Sequence, residues 1–451
     1  MKIIIVGCGR VGRALVAQLS REDNDITIID TDADVVNRVS QDNDVMGVIG
    51  NGASHITQQK AGISEADLLI AVTDSDEMNM LCCLVAKKEG KAKTIARIRN
   101  HEYISEIPYL KDELGLAMII NPELATAKEI FRVLNFPSAI SVDQFSGGRV
   151  ELIKFKLPDD CCIAGMSIKE VMIKYSPAVL FATAERDNDA FILKGDFVFQ
   201  PKDVISMVCT PSNAASFFKK LGFNSDIIKN SIIIGGGEIT HYLVSMMSSY
   251  SSVKVFEPDE EICRELSAEY PFLTVVNTNL SDHDALDEEG IEGIDSFIAL
   301  GDSDEENIII SLYAKSKNSR KVITKIKRMD YDNVVGHLDM DTLVSPMKIT
   351  TDTIVRYVRG AKNTLGSNME NFYILIKDKV EASEFIIKEN SAVTDRPLIS
   401  LSLKPNILVG AIIRDDKVII PRGSDEIKLG DSVIIVSKNI RLNDVTDILS
   451  T

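Results

Sequence analysis

The sequence has no long apolar run, no excess of basic residues and no secretory-type start, and each absence excludes a class of protein. No apolar segment approaches the ~20 residues that a membrane-spanning helix needs, so we expect no transmembrane segment. The 451 residues include 50 basic and 67 acidic side chains, a formal net charge of −17, which argues against nucleic acid as a general partner. The N-terminus carries one lysine, a short apolar run and then glycines, which predicts a cytosolic protein without a signal peptide.

The seven cysteines and five histidines show no spacing typical of metal ligands. Two cysteine pairs are adjacent, Cys82-Cys83 and Cys161-Cys162, and the C-x-x-C pattern does not occur. Adjacent cysteines seldom bridge, so we interpret the cysteines as small buried hydrophobic residues in a reducing compartment. No Ser/His/Asp or Cys/His constellation stands out either. The sequence therefore predicts neither a catalytic residue nor a metal site.

The segment from Lys2 to Asp30 carries the clearest functional motif in the chain. A buried-type apolar strand is followed by Gly7, Gly9 and Gly12 in the order G-x-G-x-x-G, and then by residues with helical spacing. The first glycine allows a tight turn, the second lets a pyrophosphate approach the backbone, and the third lets the helix pack close to the strand. Free N–H groups at the helix start favour an anion, and Asp30 ends a second strand, where it can bind both ribose hydroxyls. The segment predicts a nucleotide site.

Strands and helices alternate through the first 135 residues. Further strands are predicted at residues 45–49, 67–73, 94–98 and 117–120. A closing helix is predicted over residues 123–134, and the alternation is typical of a Rossmann-like, doubly wound parallel sheet, an α/β fold. Residues 139–222 instead show short alternating strands and glycine turns, which predict a small α+β module.

The second half of the chain repeats the first at a nearly constant offset. Ile232 to Gly237 matches Ile4 to Gly9, so the glycine motif recurs 228 residues later. The same offset, within a residue, relates Asp30 to Glu257, Asp67 to Asp295, Asn79 to Asn307, Arg186 to Arg414, and Asp203 to Asp431. One register held over half the chain indicates a duplicated sheet-plus-module unit. Four domains are predicted, at residues 1–135, 139–222, 229–358 and 368–451.

The second copy lacks several residues that give the first its predicted chemistry. Glu238 replaces Arg10 and puts an acid where a phosphate would lie, whereas Glu257 keeps the acid expected to bind ribose. The other replacements are Gly12 by Thr240, Gly50 by Thr278, Gly52 by Leu280 and Thr73 by Gly301. We expect a second site at Gly235, Gly237 and Glu257 that binds weakly, binds something else or binds nothing.

The glycine loop itself and the loop after the third strand add candidate contacts, each with a plainer alternative. Arg10 either binds phosphate oxygens or is simply solvated. Gly50-Asn51-Gly52 follows the third strand on the ligand side of such sheets, yet Asn-Gly is also a common turn. The position at the carboxyl end of a strand favours adenosine contact.

The ends of the fourth and fifth strands add further candidates. Thr73 can bind phosphate or ribose, and it is favoured over Asp74, because the acids after Thr73 begin a helix where acids are expected for local reasons. Arg97 and Arg99 follow the fifth strand, and Lys325 and Lys327 keep their charge in the second copy. The sequence leaves open whether they face nucleotide, a neighbouring subunit or an acidic surface.

The motifs resemble the RCK (KTN) regulatory domains of potassium channels and transporters over essentially the full chain. The resemblance rests on GCGRVG at 7–12, IID at 28–30, GNGAS at 50–54, AVTDSDEMNM at 71–80, ARIR at 96–99, ATAERDNDAFI at 182–192 and GAIIRDDKVIIPRGSDEIKLGDSVIIV at 410–436. It implies two Rossmann-like domains, each followed by a small α+β domain of the RCK C-terminal type.

The same resemblance implies a function and a ligand. NAD(H) is expected at the first glycine loop, with ATP or ADP possible at the same site. The implied binding residues are Gly7, Cys8, Gly9, Arg10, Val11, Gly12, Asp30, Thr31, Gly50, Asn51, Gly52, Thr73, Asp74 and Arg97. The implied protein is a non-catalytic, cytoplasmic regulator, a homo-oligomer (dimer or tetramer) forming a ring under a Trk-type membrane potassium channel. It would be peripheral on the cytoplasmic face.

Two other functions use the same motif. An NAD-dependent oxidoreductase would need a hydride-acceptor pocket and a proton relay, and the sequence shows neither. A purely structural scaffold with a vestigial nucleotide fold is disfavoured by the intact first glycine loop.

Overall fold

The computed structural model describes residues 1–22, 24–100, 103, 106–175, 178–187, 189–223, 228–247, 252–280, 282–328, 338, 340–363, 369–376 and 379–450. The chain forms two compact units, and each is built from both halves of the sequence. The first unit contains Met1–Phe131 and Lys229–Val355, and the second contains Arg132–Ile228 and Arg356–Thr451.

The first half of the first unit is a parallel sheet flanked by helices. Its strands are β1 (Lys2–Val6), β2 (Asp25–Asp30), β3 (Met46–Ile49), β4 (Leu68–Ala71), β5 (Lys93–Arg97) and β6 (Met118–Ile120). Its helices are α1 (Arg10–Leu19), α2 (Ala33–Asn43), α3 (His55–Lys60), α4 (Asp76–Glu89), α5 (Ile107–Leu114) and α6 (Pro122–Asn135). The strand order β3-β2-β1-β4-β5-β6 reverses direction beside β1, where ligands bind such sheets.

An antiparallel module follows in the chain and belongs to the second unit. Its strands are β7 (Ala139–Phe145), β8 (Val150–Lys156), β9 (Val179–Arg186), β10 (Asp189–Ile192) and β11 (Val204–Cys209), in the order β10-β9-β11-β8-β7. Its helices are α7 (Ile168–Tyr175) and α8 (Pro211–Lys220). The sheet and helices enclose a core that includes Phe155, Phe181 and Phe217.

The second parallel sheet has the same order as the first. Its strands are β12 (Asn230–Ile234), β13 (Ser252–Glu257), β14 (Leu273–Asn277), β15 (Ser296–Ala299), β16 (Lys321–Lys325) and β17 (Thr342–Val344), in the order β14-β13-β12-β15-β16-β17. Its helices are α9 (Glu238–Met246), α10 (Glu260–Glu269), α11 (His283–Glu288), α12 (Asp304–Ser316) and α13 (Pro346–Asn363).

A second antiparallel sheet ends the described chain and completes the second unit. Its strands are β18 (Met369–Ile376), β19 (Val380–Ile386), β20 (Ile407–Arg414), β21 (Lys417–Ile419) and β22 (Ser432–Lys438), in the order β18-β19-β22-β20-β21. Its apolar face shares one core with the first antiparallel sheet, in which Phe145, Leu152 and Val208 join Ala411 and Ile434. The two copies of the module therefore bury apolar surface against each other.

These elements confirm the fold class expected from the sequence. The apolar run in β1 is at most 2% exposed from Ile3 to Val6 and pairs in parallel with β2 and β4. The strand predicted over 67–73 is shorter, because β4 ends at Ala71 and the backbone beyond it turns toward Asn79. The four domain ranges stay a prediction. Among the described helices, none has both the length and the apolar character to cross a membrane.

Candidate functional site

The first glycine loop is shaped by close backbone packing and leaves one position open. Gly7 has φ +93°, which L-residues rarely adopt, and a Cβ at Gly12 would lie 1.9 Å from the Gly7 carbonyl oxygen. Gly9 has no heavy atom within 4 Å of an added Cβ, and it caps α1 without any side-chain hydrogen bond. The N-terminus of α1 therefore meets open space, as an anion site requires.

Asp30 holds the glycine loop through its carboxylate. Its Oδ2 accepts a hydrogen bond from the Cys8 N–H at 2.6 Å, and its Oδ1 accepts one from the Asp32 N–H at 3.1 Å. The Gly50 N–H donates to the Asp30 carbonyl oxygen at 2.9 Å, which brings the third-strand loop beside the same residue. Each carboxylate oxygen keeps a lone pair for a further donor such as a ribose hydroxyl.

The Gly50-Asn51-Gly52 loop has the geometry of a side-chain-stabilised turn. The Asn51 Oδ1 accepts a hydrogen bond from the Ala53 N–H at 2.9 Å, and Asn51 itself is exposed. A Cβ at Gly52 would lie 2.1 Å from the Val6 side chain, so packing against β1 requires glycine there. The plain-turn interpretation thus has direct structural support, while adenosine contact stays a prediction.

Thr73 and Arg97 are joined by a buried asparagine that the sequence marks only as a repeat position. The Thr73 hydroxyl and N–H both donate to the Asn79 Oδ1, at 2.7 and 2.8 Å. The Asn79 Nδ2 donates to the Arg97 carbonyl oxygen at 2.9 Å. In the second copy, the Asn307 Nδ2 donates equivalently to the Lys325 carbonyl oxygen at 3.1 Å. Asn79 therefore fixes the ends of β4 and β5, and its recurrence at Asn307 is the sequence signal for that role.

Asp76 also has a longer-range role than the local one expected at a helix start. Its Oδ2 accepts hydrogen bonds from the Arg99 and Asn100 N–H groups, at 2.8 and 2.9 Å. The cap of α4 is instead Ser75, whose hydroxyl accepts from the Met78 N–H at 3.1 Å. Asp76 thus anchors the segment after β5, which carries Arg99.

A cavity of about 840 Å³ lies between the two halves of the first unit. Of the predicted binding residues, Gly9, Arg10, Val11, Asp74 and Arg97 line it. The second glycine loop lines the same cavity, from Gly235 to Thr240. The remaining predicted residues do not line it, namely Gly7, Cys8, Gly12, Asp30, Thr31, Gly50, Asn51, Gly52 and Thr73. Both loops thus open onto one space.

Matched basic residues from the two halves converge on this cavity. Arg97 and Arg99 line it from the end of β5, and Lys325 and Lys327 line it from the end of β16. Arg97 is 8% exposed, and its Nη2 donates to the Thr73 carbonyl oxygen at 2.8 Å. Burial, reinforced by the charge of Arg99, lowers the pKa of Arg97. Clustered cations of this kind are stabilised by a bound anion.

Acidic groups from both halves also line the cavity. Burial raises the pKa of Glu123, at the start of α6, and Glu238 raises it further by repulsion. Within the part of the chain that the structure describes, the Glu123 Oε2 is buried without a hydrogen-bond partner. In the described residues no group of three or more His, Cys, Asp or Glu side chains could hold a metal ion.

Tyr242 joins the halves beside the cavity. Its hydroxyl accepts a hydrogen bond from the Asn121 Nδ2 at 2.9 Å and donates one to the Arg99 carbonyl oxygen at 3.0 Å. Tyr242 lies on α9, the helix that begins at the second glycine loop, whereas Arg99 follows β5 of the first half. These two bonds connect α9 of the second half to the segment of the first half that carries Arg99.

Two family models cover most of the chain. The TrkA-N domain model matches residues 3–122 and 231–346, and the TrkA-C domain model matches residues 152–222 and 382–450. The TrkA-N matches begin just before each glycine loop and include Asp30 and its counterpart Glu257. Both models thus match twice, in the alternating order that the repeat predicts.

Relatives of known name match over nearly their whole length. "Trk system potassium uptake protein TrkA homolog 2" of Methanosarcina mazei is 31% identical over 444 residues, covering 96% of this chain and 97% of that protein. "Trk system potassium uptake protein TrkA" of Halomonas elongata is 31% identical over 453 residues, covering 99% and 98%.

Solved structures share the fold at low sequence identity. The GsuK channel superposes with a TM-score of 0.65 at 14% identity, covering 97% of this chain and 76% of that one. The GsuK channel bound to NAD superposes with a TM-score of 0.64 at 14% identity, covering 99% and 77%. The duplicated domain matches and the full-length relatives show that the chain belongs to the TrkA family.

Proposed function

We propose that the protein is a nucleotide-sensing regulatory subunit that gates a membrane potassium-uptake channel of the Trk type. The observation that supports this proposal most directly is the open N-terminus of α1 at Gly9, in a cavity that the cations Arg97 and Arg99 also line. The names of the TrkA relatives support the potassium-uptake role, and the GsuK channel bound to NAD supports this fold as a nucleotide binder.

The proposed ligand is NAD(H), with ATP or ADP at the same site. Its phosphates would bind the free N–H groups of α1 and the guanidinium groups of Arg10 and Arg97. Its adenosine ribose would bind the Asp30 carboxylate, whose two oxygens each keep acceptor capacity. The rest of the predicted binding set stays part of this proposal.

The proposed gating acts through the contact between the two halves. A ligand at the first loop shifts a conformational equilibrium only by its different affinity for the two states. Both halves of the first unit line the cavity, and Tyr242 bonds Asn121 and the Arg99 carbonyl oxygen across them. The affinity of the cavity for nucleotide would therefore depend on how the two halves are arranged. Couplings of this kind are typically ~1–3 kcal/mol per pair of sites, so several copies in a ring would sum to a decisive bias.

The proposed setting is a cytoplasmic homo-oligomer, a dimer or tetramer, docked on the cytoplasmic face of the membrane subunit. In this role the chain carries out no reaction. Only the free energy of nucleotide binding would drive the conformational change. The four predicted domain ranges would then correspond to two sensing sheets and two assembly modules.

The test is potassium flux in vesicles containing a Trk-type membrane subunit and this protein. Nucleotide should change the flux with the wild type and with Gly237→Asp, and should leave it unchanged with Gly9→Asp. The two variants are matched, because neither Gly9 nor Gly237 has an atom within 4 Å of an added Cβ. A nucleotide response that survives Gly9→Asp would contradict the proposal.

A further inference from the structure

The second half keeps the ribose-binding geometry of the first. The Glu257 Oε2 accepts a hydrogen bond from the Gly236 N–H at 2.7 Å, and its Oε1 accepts one from the Asp259 N–H at 2.9 Å. Asp30 makes the same two bonds in the first half, to Cys8 and Asp32. Glu257 is 7% exposed and lines the cavity, so its remaining lone pairs point to a hydroxyl-rich ligand.

An apolar wall lies next to this carboxylate. Pro258, Ile262 and Leu280 line the cavity together with Glu257. Leu280 packs against Gly301, where a Cβ would lie 3.1 Å from the leucine Cδ1. In the first half the corresponding positions are Gly52 and Thr73. The second half thus offers an apolar surface for a flat base. At the end of β15, where a dinucleotide would extend, it has less space than the first half has at the end of β4.

At the start of α9, where a phosphate would bind, the second half carries an acid in place of a cation. Glu238 is the first residue of α9, the position that Arg10 has in α1. Glu123 of the first half lies near Glu238, and the two line a smaller pocket together with Asp76, Arg99 and Asn100. At the matching start of α13 the second half has the uncharged Met347. The exchange of Arg10 for Glu238 replaces attraction of a phosphate by repulsion at this position.

The two lysines on this side are held by oxygens of their own half. The Lys325 Nζ donates to the Leu300 carbonyl oxygen at 2.5 Å, and the Lys327 Nζ donates to the Asp302 Oδ1 at 2.7 Å. Thr240 also fills the space of the missing third glycine, where its hydroxyl donates to the Gly235 carbonyl oxygen at 2.6 Å. The two lysines and the Thr240 hydroxyl are therefore engaged within their own half, although an added Cβ at Gly237 would meet no atom within 4 Å.

We infer that the part of the cavity beside Glu257 and the second glycine loop binds a nucleoside rather than a nucleotide. The 5′ substituent of this nucleoside would be uncharged or cationic. Glu257 would bind the 2′ and 3′ hydroxyls of the ribose, and the base would lie on Pro258 and Ile262. Glu238, in place of Arg10, would disfavour phosphate and tolerate a positive group. The inference rests on the ribose role proposed for Asp30 and extends it to a ligand of different charge.

The test is a crossed titration calorimetry experiment on the full-length protein. Adenosine and NADH are titrated into the wild type and into two matched isosteric variants, Asp30→Asn and Glu257→Gln. Glu257→Gln should weaken adenosine at least tenfold and leave NADH unchanged, and Asp30→Asn should do the reverse. Equal thermal unfolding temperatures of all three proteins would exclude misfolding as the cause.

Two further ligands and one gain-of-function variant define the charge preference. S-adenosylmethionine should bind the wild type in a Glu257-dependent manner, and AMP should bind that site at least tenfold more weakly than adenosine. Glu238→Arg should raise the AMP affinity about tenfold without improving adenosine. AMP binding as tightly as adenosine, or no adenosine binding sensitive to Glu257→Gln, overturns the inference. NADH binding that is as tight in Asp30→Asn as in the wild type contradicts the proposed function instead.

Discussion

Arg186 and Asp203 form a bidentate ion pair, with Nε to Oδ1 and Nη2 to Oδ2 both at 2.7 Å. Arg414 and Asp431 repeat it in the second copy, at 2.8 and 2.7 Å. Both aspartates are at most 1% exposed. The internal repeat aligns these residues in sequence, and the structure shows that the aligned residues are bonded partners. The pair is thus a fixed part of each antiparallel module.

Replacing Asp203 by alanine should destabilise the second unit. The change removes the two carboxylate acceptors of Arg186, leaving its bond to the Val198 carbonyl oxygen, and also removes the acceptor of the Gln200 N–H, which donates to the Asp203 Oδ2 at 2.8 Å. Because the arginine is partly exposed and regains water, we expect a loss of about 2–3 kcal/mol in the free energy of unfolding. Denaturant titration followed by circular dichroism measures it. Asp196→Ala, which breaks an exposed pair with Lys169, serves as the control and should change stability by less than about 1 kcal/mol.

Replacing Tyr242 by phenylalanine should weaken the connection between the halves of the first unit. The ring remains and only the hydroxyl is lost, together with its bonds to Asn121 and the Arg99 carbonyl oxygen. A net loss of about 1 kcal/mol in the free energy of unfolding is expected. Hydrogen exchange of the Arg99 segment should also quicken. The matched control is Tyr313→Phe, whose hydroxyl bonds Asp287 at the surface. Equal effects of the two variants would argue against a special role for Tyr242.

Lys325 should make stability depend on pH above neutrality. Burial lowers its pKa to about 8, and the like charge of Lys327 adds to the effect. The unfolded chain, with an ordinary lysine pKa near 10.5, binds more protons between these values, so the free energy of unfolding contributed by this residue rises from about pH 8 to 10.5. Lys325→Met should flatten that rise and stabilise the protein at pH 7 by about 1–3 kcal/mol. A parallel pH profile for wild type and variant would contradict the assignment.

The fold could be predicted because its signals are local and periodic. The apolar run of β1, the glycine motif and the alternation of strands and helices each depend on neighbours in sequence. The duplication also makes Glu257 recognisable from the amino-acid sequence, because the register from Asp30 holds across the two copies. Loop positions such as Gly7 and Gly12 follow from backbone packing that glycine alone permits.

The rest of the site depends on contacts that no local pattern encodes. Asn121 and Tyr242 are 121 residues apart, and nothing in either segment indicates that they meet. The position of Asp76 indicates only an acid at a helix start, but its partners lie beyond β5. Some of the predicted binding residues line the shared cavity and others do not. This division follows from how the two parallel sheets of the first unit pack, which no local pattern shows.

No NADH oxidation is expected from this protein. The proposed role uses binding energy alone, so a panel of small oxo compounds mixed with NADH and the purified protein should leave the NADH absorbance unchanged. A lactate dehydrogenase reaction run in parallel confirms that the assay detects turnover. Steady oxidation with any compound, lost in Gly9→Asp, would instead favour a dehydrogenase.

Titration calorimetry of NADH, NAD, ATP and ADP into the wild type, Gly9→Asp and Gly237→Asp tests the central claim most directly. The added carboxylate at Gly9 would lie at the helix start where the phosphates are proposed to bind, and an added Cβ there meets no protein atom within 4 Å. We predict that Gly9→Asp abolishes binding of every phosphate-bearing ligand that the wild type binds and that Gly237→Asp leaves their affinity unchanged. Full nucleotide affinity in Gly9→Asp would contradict the account.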